Sequence, residues 1–540
     1  MSGNNDLLGS TIKVPEGCEL FFKKGAKIRN GIIELNNTRL SGEKHCIATK
    51  VSGYQDELDT DFFDLTADNK YSIMQSIVNT SSIIQLHGRF ENVFDNIQLG
   101  GKEITIIGNG AIISNSVSNP AITITTNDFV RIVDIDFQIN TGYAIYKNVA
   151  PTTVTKLSFI IDRCRFVSTG DSSTSIIQLL GSREGNITNC FFEGTGKSGS
   201  IGINRTDAVN TNVISCMFSN LSYGIKAMGL KTDLDPSSEQ YSIFACGLNV
   251  QSAVMLGCKY GIFIEGNDSF FLNNSMIDYC DNPLVVISQD GANITNNYFS
   301  TSSVYNDYAA TITIINNTSK GTANRNKRII VSGNTIYGHR TINNHAIDLD
   351  VESLDCIIQN NTLDFYTDYG VYLRHINVQN GWTTEKLVID NNRFYFAYDN
   401  AKCIGGYSGG FPIIISNNYV IEGTNTSFFD NGNPYFGNYL YSGNHDYLYG
   451  GEPSNPENKK IYYASRRNNT RMKIGLTFNA NQYTMSIDNP MHQDTSLVVY
   501  IANNRYPICV DSITSQSITF TKTVSDAVAF TAIIEHILNL

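Results

Sequence analysis

IIQNNTL (357–363) and VIDNNRF (388–394) are two copies of one phrase, and that phrase recurs along the middle of the chain. Other copies are IIDRCRF (160–166), ITNCFF (187–192), VISCMF (213–218), ITNNYF (294–299), IIVSGNTI (329–336) and IISNNYV (414–420). Each copy is an apolar pair, a few polar residues, an Asn or Cys, then an apolar or aromatic residue two positions on. Aligned on the Asn/Cys, they form a column: Cys164, Cys190, Cys216, Cys246, Asn274, Asn297, Asn334, Asn361, Asn392, Asn418 and Asn444. The steps are 26, 26, 30, 28, 23, 37, 27, 31, 26 and 26, a repeat of about 28 residues with insertions. Behind most copies comes a second short apolar strand: SIIQLL (175–180), YGIKAM (223–228), YGIFIEG (260–266), NPLVVIS (282–288), HAIDLD (345–350) and YGVYLR (369–374). Two or more strands per repeat, with almost no helical periodicity between them, predict coils of β-strand stacked by parallel hydrogen bonds. The expected fold is all-β, a right-handed parallel β-helix.

Physical chemistry gives the column a structural job. Asn at a corner tolerates a left-handed backbone, and its amide can bond the same amide one coil away. Cys substitutes by being small and readily buried, so these cysteines are expected to fill wall space rather than bind metal or form disulfides. Gly110 and Ile135 extend the column backwards.

Composition sets outer limits. The 540 residues carry 16% charged side chains, 43 Gly and a single Trp, with a net charge of −11. That charge disfavours nucleic acid as a partner, because such binding needs cations to displace counterions. No apolar run approaches the ~20 residues of a membrane helix, so no membrane span is expected. The eleven Cys lack CxxC pairs or histidines at zinc spacing; no metal or cofactor is implied. MSGNNDLLGST has no basic segment followed by an apolar one, so no signal peptide is expected. The expected setting is a reducing cytoplasm until release.

In chain order, residues 1–45 read as a β leader of alternating strands and Gly or Pro-Glu-Gly turns. Residues 43–63, with Asp56, Glu57, Asp59 and Asp61, read as a solvated loop. TADNKYSIMQSIVN (66–79) carries the helix signal, with Thr66 or Asp68 as cap and Tyr71, Met74, Ile77 and Val78 on one face. The solenoid is assigned to 46–446, its regular coils starting near 80. Residues 447–460 hold Gly, two Pro and charges, the signature of a linker. Residues 461–540 change style and predict a small antiparallel β domain, either a cap or an oligomerisation module.

IKVPEGCELFF (12–22) and GAKIRNGIIELNNTRLSG (25–42) resemble the leader of tail-spike-like β-helix proteins from phages of gut Bacteroidetes. SSIIQLHGRFENVFDNIQLGGKEITIIGNGAIIS (81–114) resembles the start of pectate-lyase-like β-helices, in which a short helix plugs the open end of the coil. The resemblance implies a phage tail protein, assembled in the host cytoplasm and acting outside it. It also implies a homotrimer, attachment to a tail or baseplate through the N-terminus, and a bacterial cell-surface polysaccharide as partner. It does not supply catalytic residues. The polygalacturonase branch carries Asn-Thr-Asp, Asp-Asp, Gly-His-Gly and Arg-Ile-Lys in order, and only Gly338-His339-Arg340 and Arg374-His375-Ile376 come near them here.

The site must therefore be sought in the residues. HAIDLD puts Asp348 and Asp350 on one face of a strand expected to face solvent. Two strand steps set them roughly 6.6 Å apart, near the lower end of the window for an acid and a base that invert a glycosidic bond. The apolar register places Tyr372 beside Asp348 and Arg374 beside Asp350 on the next coil. Arg374 and His375 suit a sugar carboxylate or hydroxyl. Trp382 in the following insertion offers a face for a sugar ring, and His339 is a further candidate, as is His345. Asp364, Asp368 and Glu265 would join only if the face assignment slips by one residue. Each has a plainer reading, as soluble surface, an ordinary ion pair or loop packing. Three functions stay open: a tailspike that binds and hydrolyses polysaccharide, a bacterial polysaccharide lyase or glycoside hydrolase, and an adhesin that only binds glycan.

Overall fold

A computed structural model describes residues 2–66, 68–126, 128–149, 157–171, 173–229, 246–302, 308–316, 326–338, 344–350, 355–374, 387–396, 401–406, 413–422, 439–442 and 445–446. It also describes six strands between 471 and 538. The chain divides into two units, residues 1–292 with 297–307, and residues 293–296 with 308–540.

Both units contain coils of a parallel β-helix. A typical coil has three strands: Arg183–Thr188, a corner, Phe191–Glu193, a turn, then Ile201–Thr206. Every strand pairs in parallel with its counterpart one turn on, as Asn186↔Asn212, Phe192↔Phe218 and Ile203↔Ile225. Inward residues alternate with outward ones and fill a largely apolar core. Phe137, Phe166, Phe192 and Phe218 stack there as a ladder, with ring centroids 5.0, 4.8 and 4.7 Å apart. The second unit repeats the plan, for example Ile347↔Val371 and Val371↔Ile404. Its strands from Arg471 to Leu538 instead pair antiparallel, in two three-stranded sheets centred on Val528–Leu538 and Ser517–Lys522. The sequence predicts antiparallel strands in 461–540, and these strands belong to the same unit as the coils from residue 308 on.

The corner column divides into two adjacent columns. The left-handed residue precedes the buried one in each copy: Arg163, Asn189, Ser215, Ser252, Asn274, Asn296, Gly333, Asn360, Asn391 and Asn417 have φ between 49° and 69°. The buried column follows: Cys164, Cys190, Cys216, Ala253, Ser275 and Asn297 in the first unit, and Asn334, Asn361, Asn392 and Asn418 in the second. Three sequence assignments are corrected by this. Asn274 is the left-handed residue beside Ser275, Cys246 begins a strand well before Ala253, and Ala111, not Gly110, aligns with Ile135. Ala and Ser do the buried job without standing out in a sequence.

The buried Asn and Cys residues share one hydrogen bond, made to the carbonyl three positions before the matching residue of the preceding coil. Asn361 Nδ2 donates to Val331 O (2.9 Å), Asn392 to Ile358 O (3.0 Å) and Asn418 to Ile389 O (2.9 Å). The thiol of Cys190 donates to Ile161 O (3.7 Å) and that of Cys216 to Ile187 O (3.5 Å). Both thiols are buried and free, with pKa values raised above the ordinary range.

Residues 43–63 are not a loop. Ile47–Asp59 is a long strand, paired in parallel with Lys27–Asn36 on one side and Ser81–Gln85 on the other. The leader therefore joins the coils without a break. Its alternating Ile47, Thr49 and Val51 are buried; the acidic residues that suggested a loop simply face outward.

Helix α1 spans Lys70–Thr80 and buries Ile73, Met74, Ile77 and Val78, with Tyr71 at the rim. Its N-cap is Asn69, and no side chain caps it, contrary to the roles expected for Thr66 or Asp68. Its own function is to cap. Gln75 Nε2 donates to Gln98 O (3.0 Å) and Gln98 N–H donates back to Gln75 Oε1 (2.8 Å). One amide thus acts as a strand partner for Ile97–Leu99, whose other side pairs with Ile122–Ile124. Lys102 Nζ donates to the carbonyls of Asn79 (2.9 Å) and Ser81 (2.8 Å), closing the C-terminal end of the helix. No helix among the described residues is long and apolar enough to cross a membrane.

Candidate active site

In the second unit the third strand of each coil is Ala310–Ile315, His345–Asp350, Tyr369–Arg374 and Lys402–Gly406. Their register sets Asp348 opposite Tyr372 and Asp350 opposite Arg374. Ile347 and Leu349 point into the core, which turns both carboxylates to the outer face. Yet neither is open to solvent: Asp348 and Asp350 are both fully buried. The expectation of a solvent-facing pair is corrected because neighbouring side chains roof that face.

Arg374 does much of the roofing. Its guanidinium reaches diagonally back to Asp348, donating from Nε to Oδ1 (3.2 Å) and from Nη2 to Oδ2. The expected Asp350–Arg374 partnership holds in register, but this two-point contact is with Asp348. Asp350 Oδ2 accepts from the backbone N–H of Asn316 (3.3 Å). Burial pushes the Asp348 carboxyl up to about 6, against the opposing charge and hydrogen bond of Arg374.

Beside this pair lies an aromatic cluster. His345 stacks on Tyr372 with centroids 4.4 Å apart and planes 18° off parallel. Tyr369 leans on both, at 5.4 and 5.2 Å, and Lys402 Nζ stands 5.4 Å from its ring centre. Burial, reinforced by the charge of Arg374, pushes His345 down to about 4, so its ring is neutral at pH 7. His345 Nδ1 is 3.4 Å from an Asp368 oxygen, within ion-pair range, but their alignment makes no hydrogen bond. With the imidazole neutral, that contact is not a salt bridge. The next coil makes room for the rings: a Cβ on Gly405 would lie 1.7 Å from Tyr369 Cε1, and one on Gly406 2.9 Å from Tyr372 Cε2.

Of the residues expected at the site, the structure brings together Asp348, Asp350, Tyr372 and Arg374. His339, His375 and Trp382 lie outside the described residues. His345 proves more central than its sequence suggested, and Tyr369, Lys402 and the Gly405-Gly406 pair were missed. One signal was available: Tyr369 and Lys402 start the strands that follow HAIDLD in the repeat, and aligning strand starts puts them in line with His345. Among the described residues one group has metal-ligand proximity, Asp59, Asp61 and His87, whose atoms fall within 4.8 Å of one another. Lys44 Nζ offsets part of its charge, 3.1 Å from Asp59 and 3.8 Å from Asp61.

No family model matches the chain, and no curated protein does. Among solved structures, the chain is similar to tailspike protein 3 of bacteriophage CBA120 (12% identity, TM-score 0.43), covering 70% of this chain and 59% of that one. It is similar to a double mutant of the tailspike protein of E. coli bacteriophage HK620 (12%, 0.42; 98% and 87% covered). It is also similar to the catalytic domain of a GH87 α-1,3-glucanase in complex with nigerose (11%, 0.45; 69% and 66% covered).

Proposed function

We propose that the chain is a tailspike-type receptor-binding protein that holds a bacterial surface polysaccharide against the third strands of the second unit and hydrolyses it internally. The observation that carries this reading is Asp348, a carboxyl on the outer face whose burial raises its pKa to about 6. A carboxyl tuned in this way retains a proton to donate near neutral pH. Asp348 gives that proton to the glycosidic oxygen, and Asp350 acts as the base that activates water. Arg374 covers Asp348 in the free protein; an acidic or hydroxyl group of the sugar draws the guanidinium off and uncovers the acid. Tyr372 and His345 stack on the ring, and Trp382, His339 and His375 complete the binding set. The C-terminal β domain assembles a homotrimer and the N-terminal leader attaches it to the phage tail or baseplate, within a virion assembled in the host cytoplasm.

Incubation with polysaccharide extracted from bacterial surfaces tests the reaction. New reducing ends without the absorbance of unsaturated uronates are expected, and Asp348→Ala with Asp350→Ala should abolish them. Ends accompanied by that absorbance would mean a lyase and remove the acid–base pair.

A second reading, an adhesin without catalysis, is favoured by one observation: Arg374 engages both oxygens of a fully buried Asp348. Retained glycan binding with no new reducing ends from any extract would select it.

A further inference from the structure

The first unit carries a cluster that the reaction proposed above does not use. Its third strands Tyr223–Met228 and Tyr260–Glu265 lie side by side, with Tyr223↔Tyr260, Lys226↔Phe263 and Met228↔Glu265 in register. Tyr223 and Tyr260 stack with centroids 4.5 Å apart and planes 8° off parallel. Phe263 stands edge-on to both, at 5.9 Å and 5.7 Å. Two ammonium groups flank the rings: Lys226 Nζ is 5.1 Å from the centre of Tyr223 and Lys259 Nζ is 5.2 Å from that of Tyr260. Tyr223, Lys226, Lys259 and Phe263 all remain half-buried rather than sealed.

On the preceding coils the same outer position is held by amides. Asn204, which aligns with Lys226, donates from Nδ2 to Gln178 Oε1 (2.9 Å) and Ser175 Oγ (3.1 Å). One line across the coils therefore runs amide, amide, lysine, aromatic ring, with steps of about 4.8 Å. That step is close to the length of one pyranose unit in an extended chain. Rings offer an apolar surface to the C–H face of a sugar, amides pair with hydroxyls, and two lysines in one patch select a carboxylate.

We infer that this tyrosine–lysine platform is a second, non-catalytic glycan site, and that its ligand is an acidic polysaccharide of the uronate class. The site holds polymer and needs no cleavage, so it stands or falls separately from the role of Asp348.

The test is native electrophoresis of the full chain through gels containing either polygalacturonate or the neutral polymer dextran, with reducing ends assayed separately to detect any cleavage. Retardation by polygalacturonate and not by dextran is expected. Lys226→Gln with Lys259→Gln should weaken it by about tenfold or more, the loss of charge-assisted contacts. Phe263→Leu, which keeps an apolar side chain but removes the ring, should weaken it as well. Lys13→Gln, an exposed lysine in the leader, should leave it unchanged. Absence of retardation by polygalacturonate, equal retardation by dextran, or a double lysine variant that runs like the parent would each overturn the inference.

Discussion

Asn361 shows how much one side chain does at a corner. Its Oδ1 accepts from the backbone N–H (2.9 Å) and Nδ2 (3.0 Å) of Asn334, while its Nδ2 donates to Val331 O and Asn392 Oδ1. Asn361→Leu leaves several buried polar groups without partners, so urea unfolding should report a loss of roughly 2–4 kcal/mol. Asn360 next door sits at φ 57° with its own side chain toward solvent. A β-branched residue there, Asn360→Val, should cost about 1–2 kcal/mol, from backbone strain and from loss of the exposed hydrogen bond that Asn391 Nδ2 donates to Asn360 Oδ1 (2.7 Å). The Asn-Asn pairs advertised the corner, but the division of labour was not legible, because Asn suits both positions. Asp348 makes a further residue-scale prediction. Its folded pKa of about 6 lies above its ordinary value of 3.8, so the folded state binds the proton more tightly than the unfolded one. The stability this gives is complete below pH 4 and is lost as pH rises through 6. Asp348→Asn removes that dependence: comparing pH 4 with pH 7, the variant should gain about 2 kcal/mol on the parent protein. A constant difference between the two pH values would contradict the assignment.

At the scale of elements, α1 shows how a solenoid begins. Open strand edges invite pairing with other chains, and here Gln75 supplies the missing partner for Gln98. Gln75→Leu should raise amide exchange within Ile97–Leu99 and lower stability by about 1–3 kcal/mol, while exchange in the remote Phe191–Glu193 strand stays unchanged. The helix and its buried face were readable from periodicity. Its true cap was not, since Thr66, Asp68 and Asn69 are all good capping residues in sequence. The strand Ile47–Asp59 was hidden for a different reason. Its acidic residues cluster on the outer face, and charge obscured an alternation that burial makes plain. For the candidate site, the register of Asp348 with Tyr372 and of Asp350 with Arg374 followed from aligning the apolar positions of successive strands. The burial of the carboxylates did not, because it depends on where Arg374 reaches.

For the molecule as a whole, the repeat accounts for most of the chain. In each unit it builds an outer face, and the same strand positions carry different chemistry: Tyr260 and Phe263 in the first unit, Tyr369 and Tyr372 in the second. The tailspike reading predicts a trimer in solution, and light scattering that gives a monomer mass would contradict it. The central claim is that Asp348 supplies the proton for hydrolysis. The most direct measurement is kcat/KM for release of reducing ends from the cleaved surface polysaccharide, followed from pH 4 to pH 9 with the parent protein and Asp348→Asn. The rate should fall about tenfold per pH unit above pH ~6 and be lost in the variant. A rate that holds level to pH 9, or an Asp348→Asn protein that cleaves like its parent, would contradict the claim.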